Sequence, residues 1–172
     1  SIQALPFPYD AFRDNQRELA EAVYKIIKHR KILFARAPTG TGKTIATLFP
    51  AIKAMGLGFT EKIFYLTAKT VGRTVAIKAL QDLKSAGLKL KCVVLTAKQK
   101  ICFMSDEVCD PDNCPYAKGY YDKFHDAMAD MSCIDFFDRE QVEQLGKRYE
   151  LCPFELSLDI SLICDVIVCD LN

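Results

Sequence analysis

The sequence predicts an α/β fold, a parallel sheet covered by helices and interrupted by an inserted subdomain. Three observations predict it. Strand-like and helix-like segments alternate through residues 1–98. A glycine-rich loop ending in Gly42-Lys43-Thr44 lies between one strand and the helix that follows it. Roughly fifty residues of different character then separate this run from a last apolar strand, longer than an ordinary connection.

The elements follow in order. A proline-rich opening, Leu5-Pro6-Phe7-Pro8-Tyr9, precedes a helix with Asp14 as its N-cap. Its apolar face is Leu19, Ala22, Val23, Ile26 and Ile27, and His29-Arg30-Lys31 places positive charge at the end the helix dipole favours. Residues 32–35 read as a short buried strand, broken by Ala37-Pro38. A second helix runs from Thr44 to about Met55 with Ile45, Leu48, Phe49 and Ile52 inward. Pro50 is expected to kink or shorten it, and Gly56-Leu57-Gly58 ends it. Strands at 62–67 and 91–96 flank a helix over 71–86 that stops at Gly87. From about Gln99 to Pro153, cysteines, acids and turn residues dominate, with helices expected only near 116–131 and 139–149. Residues 162–169 (LICDVIVC) return to a strand. The division implied is 1–98, 99–155 and 156–172.

Composition excludes several classes. A chain of 172 residues, half of them apolar, can bury one core and is not disordered as its main state. No apolar run approaches bilayer length, so no membrane role is expected. No basic-then-apolar leader opens the chain, and a cytoplasmic location is expected. The first residue is not Met, so a longer parent polypeptide is expected. Eight cysteines outside a secretory context point to metal ligands or buried thiols rather than disulfides. The net charge of +1 hides an asymmetry: residues 1–60 carry +5, residues 61–100 carry +7 and residues 101–172 carry −11. The basic middle can follow a phosphate backbone or solvate a surface. The acidic tail should repel one, and is expected to dock another part of the protein.

Ala37-Pro38-Thr39-Gly40-Thr41-Gly42-Lys43-Thr44 carries the strongest chemistry. Its glycines allow backbone N–H groups to turn inward around phosphate oxygens, and the helix behind it adds the positive end of its dipole. Lys43 is the candidate for the β- and γ-phosphates and Thr44 for Mg²⁺, with Thr39, Gly40, Thr41 and Gly42 in the cradle. Such a loop establishes a nucleotide site and not the work done there.

Cys102, Cys109, Cys114 and Cys152 stand at C-x6-C-x4-C-x37-C, the last followed by Pro153. Zinc ribbons prefer two C-x2-C pairs, whereas uneven spacing with a closing Cys-Pro suits an iron–sulfur cluster. Spacing leaves iron–sulfur, zinc and unliganded thiols open. Cys133 competes for the fourth position, and His125 for one in a zinc site. Cys92, Cys164 and Cys169 lie in apolar runs and read as core.

Taken together, these segments resemble the XPD-like and DinG-like iron–sulfur DNA helicases of superfamily 2. Phe7-Pro8-Tyr9 with Phe12-Arg13-Asp14-Asn15-Gln16 is similar to the family's adenine-recognition segment, and residues 37–44 to its motif I. Tyr65-Leu66-Thr67-Ala68-Lys69-Thr70 is similar to motif Ia, which in the family touches single-stranded DNA. Thr96-Ala97-Lys98-Gln99-Lys100-Ile101-Cys102 and Cys152-Pro153-Phe154-Glu155-Leu156 resemble the two borders of the cluster domain. The resemblance implies a RecA-like sheet with helices on both faces and ATP, Mg²⁺ and a [4Fe-4S] cluster as cofactors. It implies Gln16 as the adenine reader and Cys102, Cys109, Cys114 and Cys152 as cluster ligands, with Cys133 unmatched. Tyr9 and Phe12 are candidates to pack near the base. The implied activity is ATP-driven 5′-to-3′ movement on single-stranded DNA, with the cluster domain at the duplex junction. Thr67, Lys69 and Thr70 would hold the strand, and Lys98 and Lys100 are candidates beside its path. The family's DEAH box and second RecA-like domain are not matched within these residues. The implied partner is therefore the rest of the same polypeptide, and residues 1–172 alone are expected to be inactive. The alternatives are a nucleotide-binding regulatory or redox-sensing module and a zinc-bearing ATPase acting on protein.

Overall fold

The computed structural model describes residues 2–68, 70–104 and 109–171. Contacts divide the chain into two compact units, residues 1–89 and 90–172.

The first unit opens with a 3-10 turn, Ile2–Ala4. Helix α1 is Gln16–Lys28 and α2 is Lys43–Gly56; strand β1 is Ile63–Thr67 and α3 is Thr70–Ser85. The cap of α1 is Asn15, in the left-handed region at φ 60°, and not Asp14. The reason lies in Gln16, whose Oε1 accepts from Arg13 N–H at 2.9 Å and folds the chain back before the first turn. The helix α2 carries Pro50 without interruption. Proline there removes one intrahelical donor, and the loss is offset by the helix's packing between α1 and α3, with Leu48, Ala51, Ile52 and Ala54 buried. Past Gly56 the chain turns through Gly58 at φ +78°, closing with Phe59 N–H on the Ala54 carbonyl at 3.0 Å. The opening segment is held by Lys53, whose ammonium donates to the carbonyls of Ile2 (3.5 Å), Leu5 (2.9 Å) and Gln3.

The strand expected at 32–35 does not form. These residues lie outside any sheet, and Ile32 and Phe34 are 82% and 95% exposed. A strand exists only through its neighbours' hydrogen bonds, and an apolar run does not specify what pairs with it.

The second unit holds β2 (Cys92–Val94), α4 (Lys98–Ile101), α5 (Tyr120–Ser132), β3 (Phe136–Phe137), α6 (Arg139–Arg148), α7 (Pro153–Ile163) and β4 (Val166–Asp170). β2 is central, paired in parallel with β4 (Val93 opposite Ile167) and with β3 (Val93 opposite Phe137). Parallel pairing requires crossovers, and α4 with α5, then α6 with α7, supply them. Among the described residues of 99–153, regular elements are thus more numerous than expected. The last strand, expected from 162, begins at Val166, because α7 occupies 153–163. Its signals are Pro153 at the first helical position, Glu155 in the first turn, and buried Leu156 and Ile160 four apart.

One core joins strands and inserted residues: Val93 and Ile167 pack with Ile101, Ala127, Met131, Phe137, Val142, Leu145, Leu151, Leu156 and Ile160. Residues from 99–155 therefore share the apolar core of the strands. Cys92 and Cys164 are buried and Cys169 is half-buried, so the first two are core thiols as expected. Lys91 fastens the end of α5, donating to the carbonyls of Met131 (3.2 Å), Ser132 (3.0 Å) and Ile134 (2.5 Å), with the Phe137 ring 5.8 Å away. Asp165 accepts the Lys91 N–H at 2.8 Å, a structural role.

Candidate functional site

In the first unit, the loop before α2 is shaped by two glycines in the left-handed region, Gly40 (φ +83°) and Gly42 (φ +73°), where other residues are strained. Gly42 also allows close approach, since a methyl group there would meet Gln16 Nε2 at 2.3 Å. Gln16 is only 3% exposed and donates from Nε2 to the Gly42 carbonyl at 3.1 Å. Arg13 adds a second tie, from its guanidinium to the Gly40 carbonyl at 2.7 Å. Thr41 Oγ1 donates to the Pro38 carbonyl at 3.0 Å. Arg13, just before α1, and Gln16, its first residue, therefore grip the loop from outside through its carbonyls.

Lys43, the first residue of α2, donates to the carbonyls of Ala37 (3.0 Å) and Pro38 (2.5 Å) across the loop. These are exposed contacts, readily exchanged for phosphate oxygens. Thr44, next in the helix, is half-buried, and its Oγ1 accepts from the Tyr65 hydroxyl at 3.4 Å. A cavity of about 820 Å³ opens here, walled by Arg13, Gln16, the loop residues Thr39, Gly40, Gly42, Lys43 and Thr44, and the α3 side chains Val71, Val75 and Lys78. Its size, its paired left-handed glycines and its lysine and hydroxyl fit a magnesium–nucleoside triphosphate. Tyr9 also lines it and donates to Asp82 at 2.7 Å; that bond, with partial burial, pushes the phenol's pKa up. Phe12 instead stacks on Phe7, with ring centroids 3.9 Å apart, and is not part of this wall. Gln16 is placed at the loop, with its carboxamide bonding protein on both sides.

Of the residues matched to motif Ia, Thr67 is 7% exposed, and a methyl group on Gly72 would touch its Cβ at 3.2 Å. A side chain so enclosed presents little surface to a phosphate backbone. Thr70 opens α3, and Lys69 lies outside the described residues.

In the second unit, Cys102 follows α4 and donates to the Met104 carbonyl at 3.1 Å. Cys109 is exposed and Cys114 half-buried; Asp110 organises the turn between them, accepting from Asp112 N–H, Asn113 Nδ2 and Cys114 N–H. Cys152 is buried before α7, and its N–H donates to the Tyr116 carbonyl at 2.9 Å, which ties that turn to it. Burial pushes the Cys152 thiol up, while the N–H groups of Glu155 and Phe154 favour its thiolate. Cys109, and after it Cys152 and Cys102, push the Lys98 pKa up, and its ammonium lies 5.9 Å from the Phe154 ring. Three of the four matched thiols thus neighbour one cation. Among the described residues, no three Cys, His, Asp or Glu side chains stand at metal-holding distance. The soft donors suit zinc or iron–sulfur chemistry, and residues 105–108, between two of the thiols, lie outside the described residues. Cys133 caps α5, with the Ser132 hydroxyl 3.7 Å from its sulfur, and His125 is exposed. Among the described residues, no helix is long and apolar enough to cross a membrane.

No family model matches the chain. Over 99 residues, 56% of its length, it is 35% identical to a probable ATP-dependent helicase of Methanocaldococcus jannaschii. The matched segment is 14% of that protein. This similarity supports a relationship with ATP-dependent helicases and does not distinguish the iron–sulfur group among them.

Proposed function

We propose that residues 1–172 form the N-terminal part of an ATP-dependent DNA helicase that binds ATP at residues 39–44 and moves 5′-to-3′ on single-stranded DNA. The observation that carries the reading is the loop gripped from behind by Gln16 and Arg13, with Lys43 and Thr44 at the mouth of the cavity. Lys43 would neutralise charge on the β- and γ-phosphates, and Thr44 would hold Mg²⁺, which supplies further charge stabilisation when bound. The ties to Gly42 and Gly40 fix the loop's shape, and Gln16 keeps lone-pair and N–H capacity for adenine. Cys102, Cys109, Cys114 and Cys152 would hold a [4Fe-4S] cluster through four thiolates, with 99–155 acting as a wedge at a duplex junction. Lys69 and Thr70 are the DNA-contacting candidates retained from motif Ia, and Lys100 is the one retained beside the strand's path. Thr67 supports them from the interior, and Lys98 serves the thiols. The DEAH segment and second RecA-like domain would come from elsewhere in the same polypeptide, in the cytoplasm.

ATP hydrolysis by the intact protein, measured with and without single-stranded DNA, tests this. Stimulation by DNA is the expected result. Turnover or binding indifferent to nucleic acid would replace the helicase with a nucleotide-binding regulatory or redox-sensing module.

A further inference from the structure

Strand β1 reaches the nucleotide loop with a side chain that no phosphate-loop pattern includes. Side chains alternate along a strand, and in β1 Phe64 and Leu66 point outward at 63% and 50% exposure while Ile63, Tyr65 and Thr67 turn inward. Thr67 packs on Gly72 and anchors the strand's end against α3. Tyr65, two residues earlier on the same face, is carried to the first turn of α2, where its hydroxyl donates to Thr44 Oγ1 at 3.4 Å.

A threonine hydroxyl has one proton and two lone pairs. As the second residue of α2, Thr44 has no earlier helical turn whose carbonyls could fix its hydroxyl by back-bonding, so the orientation is set by what meets it from outside the helix. A donor bonded to one lone pair favours the rotamer that keeps the hydroxyl at the mouth of the cavity and leaves the other lone pair for a cation. We propose that Tyr65 is a positioning residue for Thr44, and through it for the divalent cation of a bound nucleotide. The inference rests on the ATP-binding reading above and adds to it a dependence on β1. Because Tyr65 is the first residue of the segment matched to motif Ia, its hydroxyl also links that segment to the metal position.

The test is Tyr65→Phe in the intact protein, which keeps the ring and its packing. Binding of trinitrophenyl-ATP is titrated by fluorescence in EDTA and then against added Mg²⁺. Affinity in EDTA should be unchanged, while the Mg²⁺ concentration giving half of the metal-dependent gain should rise about twofold, as for loss of one long hydrogen bond at the weak end of the range. In a Thr44→Val background the same substitution should have no further effect. An unmoved Mg²⁺ dependence overturns the inference while leaving the nucleotide site intact. Equal loss of binding with and without metal also overturns it, because Tyr65 would then support the whole cradle. If the unaltered protein binds no nucleotide, the ATP-binding reading fails, and the inference falls with it.

Discussion

Lys43→Ala should reduce ATP hydrolysis by the intact protein at least about 100-fold, the scale on which a preorganised transition-state donor acts, while leaving the fold in place. Both halves follow from where the side chain sits. Its ammonium bonds only the exposed carbonyls of Ala37 and Pro38, so its removal leaves no buried group unpaired. Alanine at the first residue of α2 is itself a strong helix former. The loss falls on the phosphates, where no other cation on the loop stands ready to replace it. Arg13, the nearest by sequence pattern, is bonded to the Gly40 carbonyl. Measured turnover near the unaltered rate would end the phosphate-loop assignment. A lowered melting temperature would instead show that Lys43 braces the loop.

Protein isolated without oxygen should carry about four irons and four acid-labile sulfides per chain, the content of one [4Fe-4S] cluster. Cys114→Ser should lose them, because a serine oxygen is a hard ligand at a site that suits soft thiolates. Cys133→Ser, on the exposed cap of α5, should keep them. The iron-free variant should nevertheless retain helical circular dichroism, because the second unit has an apolar core spanning β2, α5, α6 and α7. Zinc in place of iron would favour a zinc-bearing ATPase. Iron retained in Cys114→Ser would remove that residue from the ligand set.

Much of the architecture is legible in residue order because it is locally encoded. The helices at 43–56, 70–85 and 139–148 announce themselves by apolar spacing and by the glycines or charges that close them. Non-local pairing is not encoded this way. Residues 32–35 have the composition of a buried strand, yet nothing in the run specifies a partner, and Ile32 and Phe34 stand in water. The helix at 153–163 was hidden because Leu162 and Ile163 run without a break into the apolar residues of β4. β3 is two residues long and has no period to read. The site divides similarly. The phosphate loop is a contiguous motif with a mechanical reason for each residue, so it is visible at once. The Arg13–Gly40 bond spans 27 residues and Tyr65–Thr44 spans 21, and neither leaves a periodic trace. The partners of Lys98 are equally invisible in the order of residues.

The lysine fastenings change how the protein should respond to ionic strength. Residues 61–100 hold nine basic side chains, and if each displaced one counterion from a single strand, log K would fall against log salt with a slope of about −6. Among the described residues at least three of the nine are already engaged: Lys78 faces Asp82, Lys91 is shared among three carbonyls, and Lys98 lies over the Phe154 ring. At most six remain to release ions, and the slope becomes no steeper than about −4. Affinity for a polyanion would therefore fall off less sharply with salt than the charge of this segment implies, and more of it would rest on contacts that ions do not screen.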